Sequence, residues 1–281
     1  MTIDAHHHFW LLSRGDYGWL TPDARVLYRD FQPADLDRDL TNNAIAGTIL
    51  VQAAPTEAET EYLLELAGGW PKALGVVGWT DLTSPTASGA LENLARHRLL
   101  KGVRPMVQDE PDPDWILQVS VSQSLAVMQS LGLTFDALVR PCHLKVLAMV
   151  ADRHPDLPIV IDHAGKPEIE KGEFDHWAAD IMAMSRRTHV YCKLSGLLSQ
   201  AGSRGSDEDL RPYIHHLFRC FGPRRLMWGS DWPVLLGAAG SYSQRFEQAM
   251  RLAGELSAEE KNWLFSKTAA TFYRVEVNDD E

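Results

Sequence analysis

The chain has 281 residues, 45% of them hydrophobic, with a net charge of −11 and three widely spaced cysteines, Cys142, Cys192 and Cys220. The length suits one large core, the acidic balance argues against nonspecific nucleic-acid or anionic-membrane binding, though a local basic pocket stays open, and the odd, distant cysteines fit free thiols better than a disulfide framework. With no basic-then-apolar leader and no bilayer-length apolar run, the expected setting is soluble and cytoplasmic.

Residues 3–10, Ile-Asp-Ala-His-His-His-Phe-Trp, open the chain as a short strand that ends in imidazoles. Side chains i and i+2 of a strand point the same way, so His6 and His8 project together and His7 opposite. Three histidines between strand and aromatic sequence are too few for a tag remnant. Short apolar runs recur at 47–52, 73–79, 102–104, 133–139, 157–162, 189–194 and 226–229, making eight expected strands. Between them, segments such as 57–67, 87–97, 144–153, 174–184 and 210–221 carry the apolar spacing of helices. Repeated strand–helix units imply a parallel sheet covered by helices. Eight of them in this length predict a single-domain α/β fold, a closed (β/α)8 TIM-type barrel, rather than an open doubly wound sheet. No Gly-x-Gly-x-x-Gly follows a strand, which disfavours dinucleotide binding. Residues 1–281 read as one domain, with 201–209 the most mobile-looking stretch and 278–281 (NDDE) a solvated tail.

In such a barrel the chemistry lies at the carboxyl ends of the strands. Those ends read His6 and His8, Gln52, Trp79, Arg104, Asp136 with Arg140, His163, Lys193 and Asp231. Two neutral imidazoles on one side make half of a divalent-metal site. Asp231, weighed against a helix cap, is read as catalytic: beside cationic partners it stays ionised, as ligand or base. His163, between a Val/Ile run and a tight Gly-containing turn, is read as functional rather than as a satisfied core histidine. Any one of Arg104, Arg140 and Lys193 alone reads as a structural ion pair or a solvated group. Three cationic ends around one mouth point instead to an anionic or oxygen-rich ligand. Lys193 is expected to face the pocket and Cys192 the packing side. Gln52 and Gln108 supply neutral hydrogen bonds, and His143, just past a strand, stands evenly between site and scaffold. Trp10, Trp19, Trp79 and Trp232 form a candidate apolar wall, Trp79 and Trp232 being assigned to the substrate. His97, His154, His176, His189, His215 and His216 read as surface or packing residues. The acidic loop 108–115 (QDEPDPDW) suits a pocket cover and a solvated turn equally.

Five pieces carry a resemblance: Asp4-Ala5-His6-His7-His8-Phe9-Trp10, Lys101-Gly102-Val103-Arg104, Val160-Ile161-Asp162-His163-Ala164-Gly165-Lys166-Pro167, Lys193-Leu194-Ser195-Gly196 and Gly229-Ser230-Asp231-Trp232-Pro233. In this order, over nearly the whole chain, they resemble the amidohydrolase superfamily in its amidohydrolase 2 branch. That branch includes L-fuconolactone, L-rhamnonolactone and 2-pyrone-4,6-dicarboxylate lactonases. The resemblance implies a TIM-type barrel with His6, His8, His163 and Asp231 around the reacting carbonyl, and lactone hydrolysis more than amide hydrolysis. The fourth strand ends in Arg104, where relatives elsewhere in the superfamily carry a metal-bridging lysine or glutamate, and the fifth lacks a terminal histidine. A binuclear centre is therefore not expected. One zinc or manganese ion, held by His6, His8 and Asp231 with or without His163, and metal-free catalysis by Asp231 both stay open.

The expected reaction is the opening of a sugar-acid lactone by water, with a small-molecule lactone as the only partner and no oligomeric state implied. Lactone isomerisation by a substrate hydroxyl and decarboxylation of an unsaturated acid use the same residues. A non-catalytic binding module fits poorly with so complete an ionisable set.

Overall fold

A computed structural model describes residues 1–238 and 240–276. Its eight strands are β1 (Thr2–His7), β2 (Ile45–Val51), β3 (Ala73–Gly78), β4 (Leu100–Val103), β5 (Thr134–Ala137), β6 (Ile159–Ile161), β7 (Val190–Leu194) and β8 (Leu226–Trp228). They form one sheet in sequence order, every ladder parallel. The helices after them are α1 (Pro33–Asn42), α2 (Glu57–Gly69), α3 (Ala87–Leu94), α4 (Val119–Ser130), α5 (Leu144–Arg153), α6 (Asp175–Ser185), α7 (Asp207–Phe221) and α8 (Tyr242–Leu252). The alternation of strand and helix thus gives the expected barrel. Local chemistry sets the helix starts: Thr56 accepts the Glu59 N–H ahead of α2, Ser206 that of Asp209 ahead of α7, and Ser241 pairs with Gln244 in a capping box ahead of α8.

Inside the barrel, Ile3, Ala5, Ile49, Val51, Val77, Val160 and Met227 form an apolar layer. Two short helices follow, α9 (Ala258–Asn262) and α10 (Thr268–Tyr273), and α10 plugs the amino-terminal end of the barrel with Phe272 and Tyr273. The alternate strand residues, among them Leu50, Val76, Ile161, Cys192 and Trp228, face the helices in the main core, as the pleat requires. One pleat period further along, Val160 is succeeded by Asp162 and Tyr191 by Lys193, so the interior turns from apolar to charged. Among the described residues no helix is long and apolar enough to cross a membrane; 278–281 lie outside them.

Strand β1 departs from simple alternation. With Ile3 and Ala5 inward, strict pleating would send His7 in and His6 out. The ladder to β2 shifts register between Asp4 and His7, a bulge that re-aims the strand. His6 and His8 consequently face inward, while His7 turns out to Thr48 Oγ1 at 2.9 Å.

Closure of β8 onto β1 rests on few bonds. His8 N–H donates to the Trp232 carbonyl at 2.7 Å and Asp231 N–H to the His6 carbonyl at 2.8 Å. The buried Asp4 carboxylate clasps the seam: Oδ1 accepts from Ser230 N–H at 2.9 Å and His6 N–H at 3.1 Å, and Oδ2 from the Tyr242 hydroxyl of α8 at 2.9 Å. Gly229 is needed there because a Cβ would lie 2.6 Å from the His6 Cβ. Asp4→Asn turns an amide N–H₂ toward one of these donors and is expected to cost roughly 1–3 kcal/mol. Urea unfolding at pH 7 measures this; an unchanged midpoint would show that the clasp does not stabilise the seam.

Candidate active site

At the carboxyl end of the barrel the charged layer comes first. Lys193, fully buried, places Nζ 2.6 Å from Asp136 Oδ2, 2.9 Å from Asp162 Oδ1 and 3.1 Å from His6 Nδ1. An ammonium has three hydrogens and no lone pair; Lys193 donates to Asp136 and His6 and is ion-paired with Asp162. Burial opposes ionisation of Asp162, but Lys193, His6 and Arg104 outweigh it and hold the carboxyl well below its usual range. Tyr273 of α10 donates to Asp136 from the apolar side. Lys193 therefore faces inward as expected, but as the centre of a buried ion cluster beneath the histidines; it does not reach the substrate space.

Above this layer, four side chains meet. His6 Nε2 is 3.2 Å from His8 Nε2 and 3.8 Å from Asp231 Oδ1; His8 Nε2 is 3.4 Å and His163 Nε2 3.9 Å from the same oxygen. His8 donates through Nδ1 to the Val51 carbonyl at 2.7 Å, leaving a lone pair on Nε2. His163 Nδ1 pairs with Ser195 Oγ at 2.9 Å. Lys193, donating to His6 Nδ1, puts the His6 ring proton on Nε2, facing His8. Burial pushes His6 well below the usual imidazole range, reinforced by Lys193, and pushes His163 down to about 4 against the pull of Asp231. Asp231 is also buried, yet His163, His8 and Lys166 hold it below the ordinary carboxylate value. The site thus pairs the Asp231 carboxylate with neutral His6 and His163 at neutral pH.

The donor set fits one divalent ion. His6, His163 and Asp231 each offer an atom within 4.8 Å of the others, and His8 Nε2 borders the same space. Nitrogen and carboxylate donors suit zinc and manganese alike; for His6 to bind a cation through Nε2 its ring proton would move to Nδ1, 3.5 Å from Asp162 Oδ1. Arg104 at the end of β4 donates to Gln52 Oε1 at 2.8 Å and reaches Asp162 at 3.4 Å. It offers no bridging ligand for a second ion.

A cavity of about 220 Å³ opens over this centre, lined by His8, His163 and Asp231 together with Trp19, Ala53, Arg104, Met106, Gln108, Asp109, Leu138, Lys166, Ser199 and Gln200 among others. Its size falls below that of drug-sized pockets, ~300–1,000 Å³, and suits a monosaccharide-sized ligand. Of the expected substrate residues, Arg104 and Gln108 line it. Gln52 lies behind the wall as the partner of Arg104. The others are displaced for physical reasons. Trp79 borders a separate groove with Asp81, Glu110 and Trp115. Trp232 is buried against Phe9 and Phe31. His143 is buried and accepts the Arg140 N–H at 3.1 Å, completing a backbone turn. Arg140 is exposed, donating to the Gln108 carbonyl at 3.3 Å. Of the four candidate tryptophans only Trp19 reaches the cavity, its indole N–H bonded to the Ala53 carbonyl at 2.8 Å. Loop 108–115 divides: Gln108 and Asp109 line the cavity, and 111–114 are exposed.

Lys166 and Ser195 were not singled out from sequence, although both lie in the motifs quoted above. The signal for Lys166 is its place three residues after His163, and that for Ser195 its place just past the end of β7. Residues His163, Ala164, Gly165 and Lys166 all take positive φ, 52°, 54°, 69° and 52°. Such a left-handed turn costs about 1–2 kcal/mol per non-glycine residue and is typical of functional sites. Trp177 Nε1 holds it by donating to the Ala164 carbonyl at 2.7 Å.

Removing the centre of the ion cluster by Lys193→Met leaves two facing buried carboxylates. A stability loss of about 3–5 kcal/mol is expected, measured by urea unfolding. A loss below about 1 kcal/mol would mean that water or protonation relieves the pair.

A family model described as Amidohydrolase matches residues 3–275. An L-fucono-1,5-lactonase of Burkholderia ambifaria is 38% identical over 277 residues, covering 98% of this chain and 96% of that protein. A second L-fucono-1,5-lactonase, from Burkholderia multivorans, is 36% identical over 297 residues, with 98% and 96% covered. The crystal structure of an amidohydrolase from Burkholderia multivorans with bound zinc matches with a TM-score of 0.90 at 36% identity, over 98% of this chain and 100% of that one. The eight-stranded barrel, the ordered histidine and aspartate motifs and this full-length likeness together establish that the chain belongs to the amidohydrolase family.

Proposed function

We infer that the chain is a lactonase, a hydrolase that opens a sugar-acid lactone to its hydroxy acid. The observation that carries this reading is the full-length identity with two L-fucono-1,5-lactonases, joined to an ionised Asp231 beside neutral His6 and His163 under a small cavity. L-Fucono-1,5-lactone is accordingly the first substrate to test. The free thiols support a reducing, cytoplasmic setting.

Asp231 is the base. A water against its carboxylate loses a proton to Oδ as it adds to the lactone carbonyl carbon. When the tetrahedral adduct collapses, the bond from that carbon to the ring oxygen breaks. Asp231 then returns the proton to the departing alkoxide. His163, fixed by Ser195, and His8, fixed by the Val51 carbonyl, position the water on the Asp231 side. Arg104 and Gln108 hold substrate oxygens, and Trp19 covers an apolar face of the sugar ring. A divalent ion bound by His6, His8, Asp231 and His163 would acidify the water and polarise the carbonyl.

A pH-indicator assay over aldonic lactones, on chelator-treated and zinc-loaded protein, tests the reading. Acid release is expected for the wild type, with Asp231→Asn lowering kcat roughly 10²–10⁴-fold. No opening of any lactone in either metal state would overturn it; ring-shifted lactone without acid would mark an isomerase, and carbon dioxide release a decarboxylase.

The electrostatics fix the sign of the pH dependence. Asp231, held low, loses its proton and His163, pushed down to about 4, becomes neutral well before neutrality is reached. The working state therefore persists as pH rises above about 5 and is lost as pH falls through about 4. The expected kcat/KM is flat within about twofold between pH ~5.5 and ~7. A limb centred near 6.5 would show that an imidazole of ordinary pKa controls the reaction.

A further inference from the structure

The cations around the barrel mouth differ in how many of their hydrogens the protein itself uses. Lys193 is fully buried among Asp136, Asp162 and His6, hydrogen-bonded to the first and last and ion-paired with the second. Arg104 directs its Nε and Nη hydrogens to Gln52 and Asp162 and keeps one N–H over. Arg140 is exposed and lies off the cavity wall. Lys166 is different: it lines the cavity, and among the described residues the side-chain oxygen of Gln108, at 2.5 Å, is its one hydrogen-bond acceptor. Two ammonium hydrogens are left for whatever fills the space. A largely enclosed ammonium short of acceptors is costly, and such a group is normally completed by a ligand or water.

The backbone points the same way. Lys166 takes a left-handed conformation, φ 52°, in the same turn that delivers His163. A lysine there carries the steric cost of its Cβ, about 1–2 kcal/mol, which a glycine would avoid. The turn aims His163 and Lys166 into one cavity that also holds Asp231.

Resting on the lactonase reading, we propose that Lys166 is a catalytic residue that holds the lactone carbonyl oxygen through its two remaining ammonium hydrogens. As water adds to the carbonyl carbon, the C=O π pair moves onto that oxygen, and Lys166 stabilises the alkoxide where charge develops. On collapse the pair re-forms C=O, and the electrons of the broken bond leave with the ring oxygen, which takes its proton from Asp231. Lys166 keeps all its protons throughout. The carboxylic acid so formed releases its proton to solvent water, and the same ammonium is the counter-ion of the resulting carboxylate. The site accordingly selects aldonates over neutral alditols of the same configuration.

Two measurements on Lys166→Met test this, with Lys166→Gln read in the same way should the first variant not fold. In lactone kinetics, kcat is expected to fall about 10²–10³-fold with KM nearly unchanged, and Lys166→Arg to recover part of the loss. Wild-type kcat, or a rise in KM alone, overturns the proposal, since Lys166 would then bind only a ground-state hydroxyl. By calorimetry, L-fuconate should bind the wild type at least about tenfold more tightly than the variant, a difference of about 1.4 kcal/mol, with L-fucitol binding alike to both. Equal L-fuconate affinity overturns the proposal even if kcat falls. If the wild type opens no lactone, the lactonase reading fails, while the L-fuconate comparison still decides whether Lys166 is an oxyanion site.

Discussion

Everything at the active end depends on the last strand closing onto the first. The seam has two backbone bonds, from His8 and Asp231, and one buried carboxylate, Asp4, that gathers donors from β1, from the residue after Gly229 and from α8. Because His6 and His8 come from one side of that seam and Asp231 from the other, closure and site assembly are the same event. A barrel failing to close would separate the base from its imidazoles. The clasp also explains an acid with no role at the cavity: burial raises Asp4 to about 6, a cost offset by three donors that would otherwise be orphaned.

Beneath the site, the ion cluster of Lys193, Asp136, Asp162 and His6 does the orienting. Charges so deep are weak evidence for stability, but they fix geometry: Lys193 sets the His6 tautomer, and the backbone carbonyl of Val51 sets that of His8. Both rings are thereby aimed before any ligand arrives, and His8, donating to the Val51 carbonyl, is held as the partners behind metal-ligating histidines commonly hold them.

The cavity wall is similarly pinned. Ala53 is held by the Trp19 indole on its carbonyl and by Glu59, whose carboxylate accepts the Ala53 and Ala54 N–H groups at 2.9 and 2.6 Å. Burial raises Glu59 to about 7. Positioning groups on strands and short, fully bonded turns favours a preorganised pocket over one that closes by large loop motion, and preorganisation is where electrostatic catalysis gains most.

The barrel was legible from the chain because its two periodicities, alternating strands and amphipathic helices, are local properties of hydrophobic spacing. The shared face of His6 and His8 followed from strand pitch, and the candidate status of His163 and Asp231 from their place at strand ends. The interior face of β1 was not legible. A bulge between Asp4 and His7 reverses the pleat, so Asp4, nominally on the face of His6, points outward to α8. The fate of each cation was equally hidden. Lys193 and Lys166 look alike in sequence, one near the end of an apolar strand and one just after a glycine. Only the tertiary structure decides that Lys193 is enclosed by Asp136, Asp162 and His6 while Lys166 has the one acceptor on Gln108, because these partners come from strands and loops distant in the chain. Trp232, His143 and Trp79 show the same limit: position at a strand end is set locally, but which way a side chain finds room is set by its neighbours in space. Sequence alone determined the architecture and the candidates; packing decided which of them face the substrate.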